Sequence, residues 1–400
     1  MSNNLTAKEI FHKIINFEPC SRTLKWEFGY LSLTIPRWYK EGLPRSDNDT
    51  PIPETMFTPS QASPLPWVCA GKLEEGLAYD VDNFFKLDEG ITGVPINYWL
   101  FPGFEEKIIY EDETYIELVS SEGIRKREYK NKSSMPLWLE FSVKDKQDWE
   151  KIKEEKLSIK DVTKRFYPKF NMAEFIAKCK NRTSPLVLFG GPVGFFGSLR
   201  QLLGAEKLLM TYYDNPELIK DMCGTFYELW ISIAEELTSK FDFDAAFFWE
   251  DMSYNKGSLI SPAMFKEFIT PYYKKLTDFL ISKGIKKFLV DTDGRVSGLI
   301  PLFIEAGINM MCPFERQAGN DLIEYRKNYP DFVFLGGFDK NTLLKENEDI
   351  DRELDIISEL IKKNGFIPFA DHWIPHNVSW GKFKYYRNKL NQIINNSKVL

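Results

Sequence analysis

The side chains best placed to do chemistry in this chain are carboxylates that stand where apolar runs end. AAFFW is followed by Glu250 and Asp251, FLV by Asp291, Thr292 and Asp293, MMCPF by Glu315, VFLGGF by Asp339, and FIPFA by Asp371 and His372. Carboxylates gathered in one pocket raise one another's pKa or bind a cation, so the set predicts acid–base work or a divalent ion. Taken singly, each of them also suits a cap for the helix that follows. The chain has three histidines, His12, His372 and His376. Asp371 is expected to orient the His372 ring, which makes His372 the candidate metal ligand or proton carrier. His376, four residues on, is a weaker candidate, and His12 falls inside the first helix and reads as structural.

Residues 188–204, LFGGPVGFFGSLRQLLG, leave a strand and enter a helix. Their glycines let backbone approach a ligand, and the helix start offers free N–H groups to an anion. The GK[ST] ending of a phosphate loop is absent. Arg200 reads either as a contact for a substrate carboxylate or as half of an ion pair. Earlier, KWEFGY ends a strand-like stretch and makes Lys25, Trp26, Glu27, Phe28, Gly29 and Tyr30 candidates for the pocket wall, with core packing as the alternative for Trp26 and Tyr30. Phe195, Phe196, Trp249 and Trp373 join them as aromatic candidates, and Asp251 and Asp339 as polar ones. Cys20, Cys69, Cys179, Cys223 and Cys312 form no CxxC pair and read as reduced thiols of a cytosolic protein.

The elements that must position these residues follow a pattern. Thr6 and Glu9 form a capping box ahead of a short amphipathic helix. Arg22 to Phe28 is strand-like, and Pro36 to Pro66, rich in Pro, Asp, Asn and Ser, reads as a long surface loop with short helical turns. Residues 103–145 alternate as strands do, with Ser-Glu-Gly at 121–123 as a hairpin turn, and predict an inserted antiparallel β-meander. From Pro185 onward six strands alternate with helices, which predicts an α/β fold: a (β/α)8 TIM barrel in a single domain, 1–400, with an N-terminal extension. No GxGxxG follows the first strand, which disfavours a doubly wound dinucleotide fold.

Composition sets outer bounds. The chain has 400 residues, Lys plus Arg 52 against Asp plus Glu 58, and a net charge of −6. That balance gives no global attraction to nucleic acid or an anionic membrane. The hydrophobic share of 43% is ordinary, whereas 15% aromatic is high and points to thick packing layers or ring-lined cavities. The first residues lack both a long apolar run and a cleavage site, so a cytoplasmic location is expected. A homodimer is compatible with all of this.

The segments FEPCSRTLKWEFGY, LVLFGGPVGFFGSLRQLLG, VDTDG, PLFIEAGINMMCPFE, YPDFVFLGGFDK and GFIPFADHWIPHNVSWGKFKYY together resemble the uroporphyrinogen decarboxylase superfamily. The resemblance implies a TIM barrel and one of two activities. Its decarboxylases act without a cofactor and hold tetrapyrrole carboxylates with an arginine-rich motif, where this chain reads KWEFGY. Its methyltransferases exchange a methyl group with a corrinoid carried by a partner protein and hold zinc through His-x-Cys and Cys. The matching positions here read Asp291-Thr292-Asp293 and Asp371-His372. The expectation is therefore a methyltransferase with Asp291, Asp293 and His372 as ligands for zinc or another divalent metal. Asp371, His372, Glu250 and Glu315 would be its catalytic groups. Uroporphyrinogen decarboxylation is the alternative, and a non-catalytic barrel that binds a small ligand is a third reading.

Overall fold

The computed structural model describes residues 5–31, 33–46, 56–66, 79–132 and 134–399. Thr6 caps the first helix, Ala7–Ile15, as expected: its hydroxyl accepts from the Glu9 N–H at 3.2 Å and its own N–H donates to Glu9 Oε2 at 2.7 Å. After it β1 (Gly29–Leu31) pairs antiparallel with β2 (Phe57–Pro59). No strand covers Arg22 to Phe28, although that stretch is buried from Thr23 on apart from Lys25. The expected loop from Pro36 to Pro66 is only partly a loop: it overlaps the helix Thr34–Lys40, and Ser60, Ala62, Ser63 and Leu65 are buried. Residues 47–55 lie outside the described set.

After β3 (Thr92–Gly93) the chain makes β4 (Lys107–Glu111), β5 (Tyr115–Val119), β6 (Arg125–Tyr129) and β7 (Leu137–Glu140), a four-stranded antiparallel sheet in sequence order. Three of these strands match the expected meander. The fourth, LWLE, is too short for its alternation to register. The turn at 121–123 closes as a tight hairpin, with Gly123 at φ 76° and its N–H donating to the Ser120 carbonyl.

The regular half follows with β8 (Leu186–Leu188), β9 (Ala245–Trp249), the small ribbon β10 (Ser253–Tyr254) and β11 (Gly257–Ser258), then β12 (Phe288–Asp291), β13 (Met310–Cys312), β14 (Val333–Phe338) and β15 (Phe366–Ala370). Seven strands form one parallel sheet in the order β15-β14-β13-β12-β9-β8-β3. Strands β12, β14 and β15 are buried throughout, because helices cover one face and the barrel interior the other. The gap between β15 and β3 is spanned by N-terminal chain. Leu31 donates to Ile374 and Ile374 to Gly29, Glu27 donates to Ala62, and Gly90 and Ile91 donate to Gln61 and Ser63. The protein is thus an α/β barrel of the TIM type in which irregular chain takes the place expected of an eighth strand.

The helix expected over Pro262 to Ser282 is interrupted by one π-helical stretch, Phe265–Ile269. Cys20, Cys179, Cys223 and Cys312 are buried free thiols, and Cys69 lies outside the described residues. Among the described residues no helix is long and apolar enough to cross a membrane.

Candidate active site

Two cavities compete for attention. One of about 830 Å³ opens beside Thr92 and Ser184, at the amino ends of β3 and β8. The other, about 590 Å³, opens at the carboxyl ends and is lined by Asp251, Asp291, Asp293 and His372 beneath Phe28, Trp249 and Trp373. Barrel chemistry is built from residues that follow the strands, which selects the second.

Strand alternation decides which carboxylates reach this cleft. Phe247, Trp249 and Asp251 line it, as do Asp291 and Asp293. These are every second residue of β9 and β12 and their continuations, so the neighbours between them face the surrounding helices. Glu250 is one of those neighbours and is fully buried. Its carboxylate accepts the N–H groups of Phe195, Phe196 and Gly197 at 2.7–2.8 Å and the Tyr273 hydroxyl. The anion site expected in the glycine-rich loop is thus filled by the protein's own Glu250, whose carboxyl burial pushes up to about 7 against those hydrogen bonds. Gly194 and Gly197 make this possible, since a Cβ on either would collide with the Trp249 carbonyl.

Other expected site residues also turn away. Trp26 is in the core with its indole N–H on the Glu89 carbonyl at 2.9 Å, and Tyr30 packs edge-on against Trp38 and Phe383. Phe195 and Phe196 are fully buried, Phe195 among Trp230, Tyr272 and Tyr273. Glu27 accepts from Ala370 N–H at 3.0 Å and from Arg387 at 3.4 Å; burial raises its pKa and Arg387 opposes the rise. Asp339 caps the turn after β14 through Asn341 N–H at 2.8 Å and takes Gln317 Nε2 at 2.5 Å. Asp371 does not touch the His372 ring. It accepts from the N–H groups of Arg316 at 2.7 Å and Lys340 at 3.1 Å, and burial pushes it up to about 7. Glu315 lies between Gly294 N–H at 3.0 Å and Lys340 Nζ at 3.2 Å. None of these eight lines the cleft. His376 is exposed and does not line the cleft, and its carbonyl accepts from Arg37.

What remains is compact. His372 stacks on Phe28, ring centroids 5.1 Å apart, and its Nε2 lies 3.4 Å from Asp293 Oδ2. Burial alone would lower the imidazole pKa and raise that of the carboxyl. Their mutual attraction overcomes both, so His372 ends above and Asp293 below its usual range. Asp251 pairs with Arg200 and sits at φ 40°, a left-handed conformation that costs a non-glycine residue about 1–3 kcal/mol and turns the carboxylate over the strand end. Asp251 is itself raised by burial and by Asp293, with Arg200 opposing. Asp291 is 7% exposed and makes no side-chain hydrogen bond or ion pair among the described residues. Burial, with Asp293, Asp251 and Glu315 near, holds it protonated well above the ordinary carboxyl range. Trp373 closes one wall over Gly29, where φ is 143° and any Cβ would strike the indole.

A divalent ion on Asp291, Asp293 and His372 was the expectation. Among the described residues no three His, Cys, Asp or Glu side chains gather as a ligand set, and the His372 nitrogen is turned to Asp293 instead. The nearest thiol in sequence, Cys312, is fully buried with its pKa raised by burial, so it offers no thiolate. These residues do not fit a zinc site of the thiolate kind.

The meander supplies what sequence reading missed. Glu122, Met135 and Trp138 line the cleft from the insertion, joined by Phe141 just after β7.

Comparison with known proteins bears on the fold and the family. A solved methyltransferase from Methanosarcina mazei superposes with a TM-score of 0.59 at 13% identity, covering 96% of this chain and 99% of that one, which establishes the fold alone. A B12-independent methionine synthase from Shewanella sp. W3-18-1, solved with selenomethionine, aligns over 80% of this chain and 84% of its own at 11% identity and a TM-score of 0.42. No curated protein matches the chain. The family model for uroporphyrinogen decarboxylase matches residues 131–389, well over half of the sequence. The barrel with its strand-end cleft is therefore that of a member of the uroporphyrinogen decarboxylase family.

Proposed function

We propose that this chain is a methyltransferase of the family, which moves a methyl group between a small substrate in the strand-end cleft and a corrinoid brought as co-substrate by a partner protein. The observation that carries the reading is Asp291, a buried carboxyl without a partner among the described residues, aimed into an aromatic-walled cleft. In demethylation of an ether, the bond from methyl carbon to oxygen breaks and its electron pair stays on oxygen. Asp291 supplies the proton that oxygen needs, and the methyl passes to the reduced corrinoid. The His372–Asp293 pair holds a second proton beside it. The aromatic walls exclude water and orient the methyl group. No step is assigned to a metal.

Decarboxylation of uroporphyrinogen is the competing reading, favoured by the family description. Its substrate carries eight carboxylates, and the basic side chains that line the cleft among the described residues, Arg200 and His372, already face Asp251 and Asp293. Two like charges at roughly 4 Å cost about 4 kcal/mol at an effective dielectric near 20, which disfavours that cargo. The decisive assay offers methoxylated aromatics and methylamines with free cob(I)alamin and follows methylcobalamin by its absorbance. Methyl transfer above the uncatalysed rate supports the proposal, whereas coproporphyrinogen formed from uroporphyrinogen overturns it.

A further inference from the structure

The meander places one more carboxylate on the cleft. Glu122 stands at the tip of the turn between β5 and β6 and lines the same cavity as Trp138, Trp249, Trp373 and Phe57. Its side chain has no hydrogen bond or ion pair among the described residues. The lysine that acts on it, Lys126, is engaged with Glu128 at 2.5 Å. The charges of the cleft therefore do not match one for one. Arg200 is matched by Asp251 and His372 by Asp293, and the nine-tenths buried Asp291 is unpartnered but held neutral, so Glu122 is the carboxylate left without a cation. Among the described residues no lysine lines the cavity. Unpaired acid beside tryptophan faces is the environment that binds an organic cation, by charge and by attraction to the ring quadrupole.

We propose that Glu122 is a specificity-determining residue of the cleft, reading a positively charged nitrogen on the substrate at the end that faces the insertion. The inference deepens the methyltransferase reading and rests on it for the substrate's role, yet it concerns binding and is testable without turnover. Trp138 supplies the ring face nearest in sequence to that carboxylate, and the deep carboxyl Asp291 stays with the reacting oxygen. Burial raises the Glu122 carboxyl and Lys126 opposes the rise, so an arriving cation also favours the ionised form.

The test measures binding to the intact protein by calorimetry and tryptophan fluorescence, with three probes of one shape: choline, its neutral isostere 3,3-dimethylbutan-1-ol, and the anion 3,3-dimethylbutanoate. Choline should bind at least tenfold more tightly than the neutral probe, and the anion least. Glu122→Gln should cost about five- to tenfold in choline affinity and leave the neutral probe unchanged. Trp138→Ala should weaken choline more than the neutral probe, and unchanged thermal midpoints will show that both variants fold. Equal affinity for choline and its isostere, preference for the anion, no binding of choline in the millimolar range, or a Glu122→Gln variant that binds choline as well as the parent overturns the proposal. Methyl transfer without cation preference leaves the first reading standing and removes this one. Cation preference without methyl transfer does the reverse.

Discussion

Carboxylates that face the barrel interior and those that face its helices have the same sequence signature and opposite surroundings. Glu250, Glu27 and Asp371 point outward and are met by backbone N–H groups, joined by a tyrosine hydroxyl at Glu250 and an arginine at Glu27. Asp251, Asp291 and Asp293 point inward, and no backbone N–H donates to any of their carboxylates among the described residues. Donor supply separates the groups: a carboxylate given several donors fixes loops, while one given none is left to exchange protons or meet a ligand. The pKa directions alone would not have separated them, since Glu250 and Asp371 rise to about 7 and Asp291 rises as well.

The comparison breaks most visibly at Glu250. Glu250→Ala strands three backbone N–H groups and the Tyr273 hydroxyl in the interior. Orphaned buried donors cost about 1–3 kcal/mol each and relax in part, so a loss of about 3–5 kcal/mol is expected. Guanidinium unfolding should show it as a lower midpoint, and an unchanged midpoint would remove Glu250 from the fixing class. The converse holds at Asp291. Asp291→Asn should lower methyl transfer by roughly 10²–10⁴-fold, the range for loss of a positioned proton donor. Its stability should not fall, because no bond is broken. Asp291 has a folded pKa above its unfolded 3.8, so it stabilises fully below that pH and its contribution fades as pH rises through the folded value. The variant should therefore gain on the parent in thermal midpoint as pH increases, and a gap independent of pH contradicts the assignment.

A smaller effect tests the inward pair. His372 is raised above 6.5, so its contribution is complete below that pH and disappears as pH rises through the folded value. Asp293 is lowered below 3.8, so its contribution is present above that pH and disappears as pH falls through the folded value. The pair stabilises most between 3.8 and 6.5, by no more than about 1 kcal/mol for partly exposed partners. Asp293→Asn should be least stable relative to the parent inside that window and approach it in mildly alkaline buffer. Equal midpoints at every pH would mean that the ring and the carboxylate do not interact.

Much of this arrangement was legible in the sequence, and the part that was not has a physical cause. The six strands from Leu186 onward show as apolar runs because both of their faces are covered. The segment Thr23 to Leu31 reads as strand-like over much of its length, but its role in closing the barrel does not show, because its pairing partners lie beyond β15 and near residue 62, far off in sequence. In the site, the strand ends gave the right neighbourhood, and the period of two then separates Asp251 from Glu250 and His372 from Asp371. Applying that parity to Trp249 and Asp251 would have excluded Glu250, and the presence of Phe28 in the cleft would have excluded Glu27. Glu122 gave no such signal. Its role arises because a turn of the insertion folds over a mouth whose other wall is made more than a hundred residues later.

Arg200 gives the smallest and most discriminating effect. Among the described residues it is the one guanidinium lining the cleft, and it bonds both the carboxylate and the carbonyl of Asp251. On the methyltransferase reading its charge serves Asp251 and works against a cationic substrate. Arg200→Gln keeps a donor for the carbonyl but removes the charge, so choline affinity should rise about threefold, within the range of one exposed charge pair. On the decarboxylase reading the same guanidinium is what a substrate carboxylate would meet, and its loss should weaken 3,3-dimethylbutanoate and uroporphyrinogen alike. The direction of the change in the two charged probes therefore decides between the readings even where neither turnover assay is sensitive. Tighter choline with an indifferent anion places Arg200 among the groups that hold the cleft's own carboxylates. Weaker anion binding with unchanged choline assigns Arg200 to the substrate and reverses the charge argument on which the methyl-transfer reading stands.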